Sequence, residues 1–109
     1  MADLDAIRAL ALALPEAVAG DDHGTPAATV RGKIFCVFNA DPARLTLKLD
    51  PEEQRNLSEG HVGVVSPVEG YWGRKGWTRV DSAAADDALI ETLLKLAWAA
   101  VAPKRLRKA

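Results

Sequence analysis

Asp50-Pro51-Glu52-Glu53 leaves the chain little choice but to begin a helix there. An aspartate at the N-cap accepts a hydrogen bond from a free amide of the first turn, and a proline at the next position lacks the N–H that would otherwise stay unpaired. Glutamate at the third position completes the cap and complements the helix dipole. Gly60 fits the position after the last turn of that helix. Immediately before the cap, Leu45, Leu47 and Leu49 alternate with Thr46, Lys48 and Asp50, the pattern of a strand with one face in a core and one in water. A strand thus runs straight into a helix, and that junction excludes an all-helical or all-strand chain.

The remaining elements arrange themselves around this junction. Leu4, Ile7, Ala11 and Leu14 form one apolar stripe, so a first helix is expected over 3–14 with Asp3 as its N-cap and Pro15 as its stop. Pro15 to Pro26, rich in Gly, Asp and Pro, reads as a loop. Ala27 to Val30 and Lys33 to Asn39 flank Arg31-Gly32, a two-residue hairpin turn in which glycine supplies a positive φ. The run Ile34-Phe35-Cys36-Val37-Phe38 is apolar on both faces and reads as a central strand, with Asp41-Pro42 turning the chain after it. Past the second helix, Val62 to Val65 reads as a short strand, Pro67 to Lys75 as a glycine-rich loop and Gly76 to Asp81 as the last strand. Leu89, Ile90, Leu93, Leu94, Ala97 and Val101 then form a broad apolar stripe from Asp86 to Ala102, stopped by Pro103. The expected fold is α+β and two-layered: an antiparallel sheet of about five strands with helices on one face, in the order α-β-β-β-α-β-β-α.

With 109 residues the chain suffices for a single core and hence one domain. Its longest uncharged apolar run, Leu96 to Ala102, falls far short of the ~20 residues that cross a bilayer, so no membrane partner is expected. The N-terminus is acidic rather than basic, unlike a secretory leader, and the single cysteine, Cys36, excludes an internal disulfide. Both points lead to an expected cytoplasmic location. The net charge of −1 and isoelectric point near 6.1 argue against strong charge-driven nucleic-acid binding. The charge is nonetheless unevenly spread. Acids Asp3, Asp5, Glu16, Asp21 and Asp22 dominate the start, whereas Lys104, Arg105, Arg107 and Lys108 close the chain.

No residue set names a reaction. Cys36 could serve as a nucleophile with His23 or His61 as its base, but its place in an apolar strand predicts a packed, inert thiol. Those three residues share no metal-ligand spacing. His23, beside Asp21-Asp22, reads either as an acid/base group or as a loop residue whose ring satisfies backbone groups. Gly70-Tyr71-Trp72-Gly73-Arg74-Lys75-Gly76-Trp77 combines cations, glycines and aromatics, the means by which single strands are stacked and phosphates held. It lacks the Gly-Lys-Ser/Thr ending of a phosphate loop. Alternatively it is a hairpin connection in which a tryptophan packs on the core and the cations face water. The basic tail either contacts phosphate or complements the dipole of the last helix.

Taken in order, these residues resemble a known family. Leu14-Pro15-Glu16, Gly24-Thr25-Pro26 and Val30-Arg31-Gly32-Lys33-Ile34-Phe35 look like the opening of the MmcQ/YjbR-like proteins. Leu47-Lys48-Leu49-Asp50-Pro51-Glu52-Glu53, Gly76-Trp77, and finally Ala97-Trp98 with Val101-Ala102-Pro103-Lys104-Arg105-Leu106 follow in the same order. The resemblance implies a compact domain akin to CyaY-like and secretion-chaperone folds, without a catalytic residue or cofactor. Because that family is commonly labelled DNA-binding, it also implies a weak, salt-dependent DNA partner. Arg31, Lys33, Arg74, Lys75, Arg79, Lys104, Arg105, Arg107 and Lys108 would then contact phosphates, and Tyr71 and Trp72 would stack. The alternative is a non-enzymatic module for a protein or small ligand.

Overall fold

The computed structural model describes residues 3–40 and 43–103. Its elements run α1 (Leu4–Leu12), β1 (Ala17–Asp22), β2 (Thr25–Val30), β3 (Lys33–Ala40), β4 (Ala43–Lys48), α2 (Pro51–Gly60), β5 (Val65–Pro67), α3 (Tyr71–Arg74), β6 (Trp77–Asp81) and α4 (Asp87–Val101). The strands form one antiparallel sheet in the order β1-β2-β3-β4-β6-β5. The α+β class and the antiparallel sheet agree with the sequence and the order of elements does so roughly, but the described residues hold six strands rather than five and an additional short helix, α3.

The additional strand is β1, in the segment expected to be a loop. Ala17-Val18-Ala19-Gly20-Asp21-Asp22 carries no alternating apolar pattern because it lies at the sheet's edge, where pairing with β2 alone defines it. The turn into β2 is His23-Gly24, with φ of 50° and 91°, and the turn into β3 is Arg31-Gly32, with φ of 51° and 82°. Positive φ at both central residues is what tight hairpin turns of type I′ require. Asp21 Oδ2 accepts from the Gly24 amide at 2.8 Å and fixes the first turn. Asp41-Pro42 and the tail residues Lys104, Arg105, Arg107 and Lys108 lie outside the described residues.

The apolar character of β3 on both faces has a specific cause. Cys36 pairs with Ala28 and Ile34 with Thr29, so Phe35 is an extra residue with no partner in β2: a β-bulge. Phe35 and Cys36 consequently both enter the core, with Phe38, while Ile34 and Val37 serve the other face. The core is completed by Leu45, Leu47 and Leu49, and is closed by Ile7 and Ala11 of α1 and by Ile90, Leu93, Leu94, Ala97 and Trp98 of α4. These helices occupy one face, as expected.

Asp50 caps α2 as anticipated, accepting from the Glu52 amide at 2.9 Å, and Asp3 and Asp86 cap α1 and α4 in the same way. Several boundaries differ from expectation, α1 ending at Leu12 rather than 14 and β2 beginning at Thr25 rather than Ala27. Gly60 is the last residue of α2 rather than the one after it, and the next strand begins at Val65, because the Val64 and Val65 amides both donate to the His61 carbonyl in a tight turn. Val62 is left 83% exposed. The presumed loop 67–75 holds the short helix α3. No helix among the described residues is long and apolar enough to cross a membrane.

Candidate functional site

Strand alternation decides what the uncovered face of the sheet carries. Val37 pairs with Thr46, and Thr46 with Arg79, so these three residues share the face opposite α1 and α4. Ile34, Val37, Thr46 and Trp77 line a cleft of about 390 Å³ there, walled by Val68 and Trp72 on one side and by Asp22 and His23 of the first hairpin turn on the other.

The wall bearing Trp72 is held rigidly. From α2, the buried Gln54 sends its amide nitrogen to the Gly73 carbonyl at 2.9 Å, the Trp77 carbonyl at 3.0 Å and Thr78 Oγ1 at 3.1 Å. Thr78 Oγ1 donates onward to the Gly76 carbonyl at 2.9 Å. The two glycines permit this approach: a Cβ at Gly73 would meet the Val68 oxygen at 1.6 Å, and one at Gly76 the Leu49 oxygen at 1.9 Å. Short helix α3 is thereby pressed backbone to backbone against Val68, just past β5, and Gly76, which follows it, against Leu49 at the strand-to-helix junction. Its aromatics point away from this anchor. Tyr71 is 56% and Trp72 60% exposed, with ring centroids 5.2 Å apart and nearly perpendicular planes. Such an edge-to-face pair stabilises both ring orientations while leaving the outer faces open. The Lys75 ammonium lies 5.4 Å from the Tyr71 ring centroid.

The crossover of β5 and β6 gathers several cations around this wall. β6 inserts between β4 and β5, which brings Trp77 opposite Lys48 and places α3 next to the end of β4. Lys48 Nζ donates to the Lys75 carbonyl, which sets Lys48 beside the end of α3 where Arg74 and Lys75 follow the aromatics, with Arg79 two residues beyond Trp77 on the open face. Lys33 is exposed at the start of β3 but pairs with the core residue Val30, so it lies on the face opposite to Ile34 and the cleft. Arg31 stands apart, paired with Glu16 across the sheet's edge at 3.1 Å. Lys48 was not singled out in the sequence. The signal was its parity: it alternates with Leu47 and Leu49 and so had to lie on the uncovered face.

The other candidate chemistry is dispersed. Cys36 is fully buried and free, and burial in apolar surroundings pushes its thiol pKa far up. His23 is almost fully exposed at a hairpin tip, 3.9 Å from Asp22. Among the described residues, no group of three or more His, Cys, Asp or Glu side chains is placed to hold a metal ion. Trp98, rather than Trp72 or Trp77, is the tryptophan of the core.

The fold is similar to the crystal structure of Deinococcus radiodurans protein DR2400, which carries a DUF419 domain. The two share 25% sequence identity and a TM-score of 0.79 over 99% of this chain and 87% of that one. No curated protein matches the sequence. The model of the family described as YjbR matches residues 12–100, from the end of α1 to the penultimate residue of α4. The chain belongs to the YjbR family.

Proposed function

We propose that this protein is a cytoplasmic, non-enzymatic binding domain that holds nucleic acid, DNA in the first instance, against the open face of its sheet. One observation carries the reading: the rigid α3 wall presents two exposed aromatic rings, Tyr71 and Trp72, beside the cations Lys48, Arg74 and Lys75. Aromatic faces stack on any base, and neighbouring cations hold the backbone phosphates. Arg79 extends the charged rim, whereas Lys33, opposite the core residue Val30, lies on the other face and contributes less; in this reading the tail residues Lys104, Arg105, Arg107 and Lys108 add further phosphate contacts. Arg31 contributes less because its guanidinium is engaged with Glu16. A net charge of −1 keeps the affinity modest and sensitive to salt. Burial of Cys36 holds its thiol protonated and makes it an unsuitable nucleophile, in keeping with binding rather than catalysis.

The test is a titration against labelled DNA at about 50 and 200 mM salt. Three or four phosphate contacts predict a log–log slope of roughly −2 to −3 for single-stranded DNA. Arg74→Glu with Lys75→Glu should abolish binding. Salt-independent binding, or none at the lower salt, would sink the proposal.

A second reading has its own support. β1 is an edge strand with an unpaired side and an exposed Val18, the kind of edge that accepts a strand from a protein partner. Light scattering coupled to size exclusion, with and without a proline in place of Ala19, would detect such pairing as a change in mass.

A further inference from the structure

Building on the nucleic-acid reading, we infer that the cleft takes one unpaired base, which makes the protein selective for single strands. Three features of the site lead there. First, the cleft has the wrong shape and size for a duplex. Its volume of about 390 Å³ is near the low end for small-molecule sites, and it opens between a hairpin tip and a tryptophan. A base pair in a stacked duplex presents only an edge, whereas an unpaired base can turn its face to Trp72 and enter.

Second, the charges sort the parts of a nucleotide. Inside the cleft, Ile34, Val37, Val68, Trp72 and Trp77 supply apolar and aromatic contacts, and the only carboxylate among its lining residues is Asp22. That carboxylate repels phosphate but accepts from the N–H groups of a base. Cations lie outside, on Lys48, Arg74, Lys75 and Arg79, where the backbone would pass. Third, the wall is organised in advance. Gln54, Gly73 and Gly76 lock α3, so stacking on Trp72 requires little ordering on binding.

The experiment compares a single-stranded 12-mer, as DNA and as RNA, with a blunt-ended duplex of the same base composition, read by tryptophan fluorescence and anisotropy. Binding by either single strand, with quenching, at least tenfold tighter than by the duplex is the expected result. Trp72→Ala should weaken single-strand binding by roughly 5- to 150-fold and duplex binding by far less. Trp72 is largely exposed, so this variant keeps the core intact. Thr46→Phe, which fills the cleft from its floor and spares Trp72, should produce the same selective loss. Equal, salt-dependent affinity for duplex and single strands would overturn the inference while the nucleic-acid reading stands. Equal effects of both variants on the two ligands would do the same. Absence of binding by every probe would overturn both.

Discussion

The indole Nε1 of Trp98 donates to the carbonyl oxygen of Pro15 at 2.9 Å, joining the last helix to the turn between α1 and β1. Trp98 is only 8% exposed, between α4 and the sheet. Trp98→Ala removes both the packing and the bond and should cost ~3–5 kcal/mol in urea unfolding. Trp98→Phe keeps most of the packing and should cost less, with ~0.5–1.5 kcal/mol assigned to the lost hydrogen bond. An alanine variant melting within a few degrees of the wild type would remove Trp98 from the core.

Gln54 has a similar tying role at the candidate site. Gln54→Leu deprives the Gly73 and Trp77 carbonyls of their side-chain donor, and since each still accepts a backbone amide, from Gly76 and Val68, the cost should be about 0.5–1.5 kcal/mol for each lost bond. The loss should be local as well as global. Amide exchange at Tyr71 to Lys75 is expected to accelerate more than exchange in α4, measured by NMR or mass spectrometry. Uniform acceleration across both helices would show that Gln54 merely supports overall stability.

Gly32 and Gly76 both have positive φ, 82° and 107°, yet their surroundings differ. A Cβ at Gly32 meets nothing within 4 Å, so Gly32→Ala should cost only the left-handed backbone penalty, ~1–2 kcal/mol. At Gly76 the same Cβ would strike the Leu49 oxygen and push β6 away from the junction. Gly76→Ala should therefore destabilise by more than Gly32→Ala in the same denaturant series. Equal losses would mean that backbone conformation alone sets the cost.

Burial raises the Cys36 thiol pKa, and the sign of its linkage to stability follows directly. In the folded state the proton is retained, whereas the unfolded thiol releases it near its ordinary value of ~8.5. Stability from this group is complete below that value and is lost progressively as pH rises above it. Unfolding free energy measured from pH 8 to 10 should fall, and Cys36→Ala should flatten the decline. In native buffer the thiol should react with a thiol reagent only as fast as the protein opens. Rapid stoichiometric labelling would contradict the buried position.

Much of this architecture was written in local chemistry. The Asp3, Asp50 and Asp86 caps, the alternation of Leu45, Leu47 and Leu49, and the positive-φ turn at Arg31-Gly32 each depend on near neighbours, and each appears where the residues require it. Strand β1 could not be recognised in this way, since an edge strand of Ala, Gly and Asp is held by pairing with residues up to thirteen positions away. The candidate site was legible only as a composition: Tyr71, Trp72, Arg74 and Lys75 stood together in the sequence, without a partner surface. Their relation to Lys48, Ile34 and Val37 arises from the insertion of β6 between β4 and β5 and from the bulge at Phe35. Those are long-range pairings, stabilised by a core assembled from the whole chain, and no short window of residues encodes them.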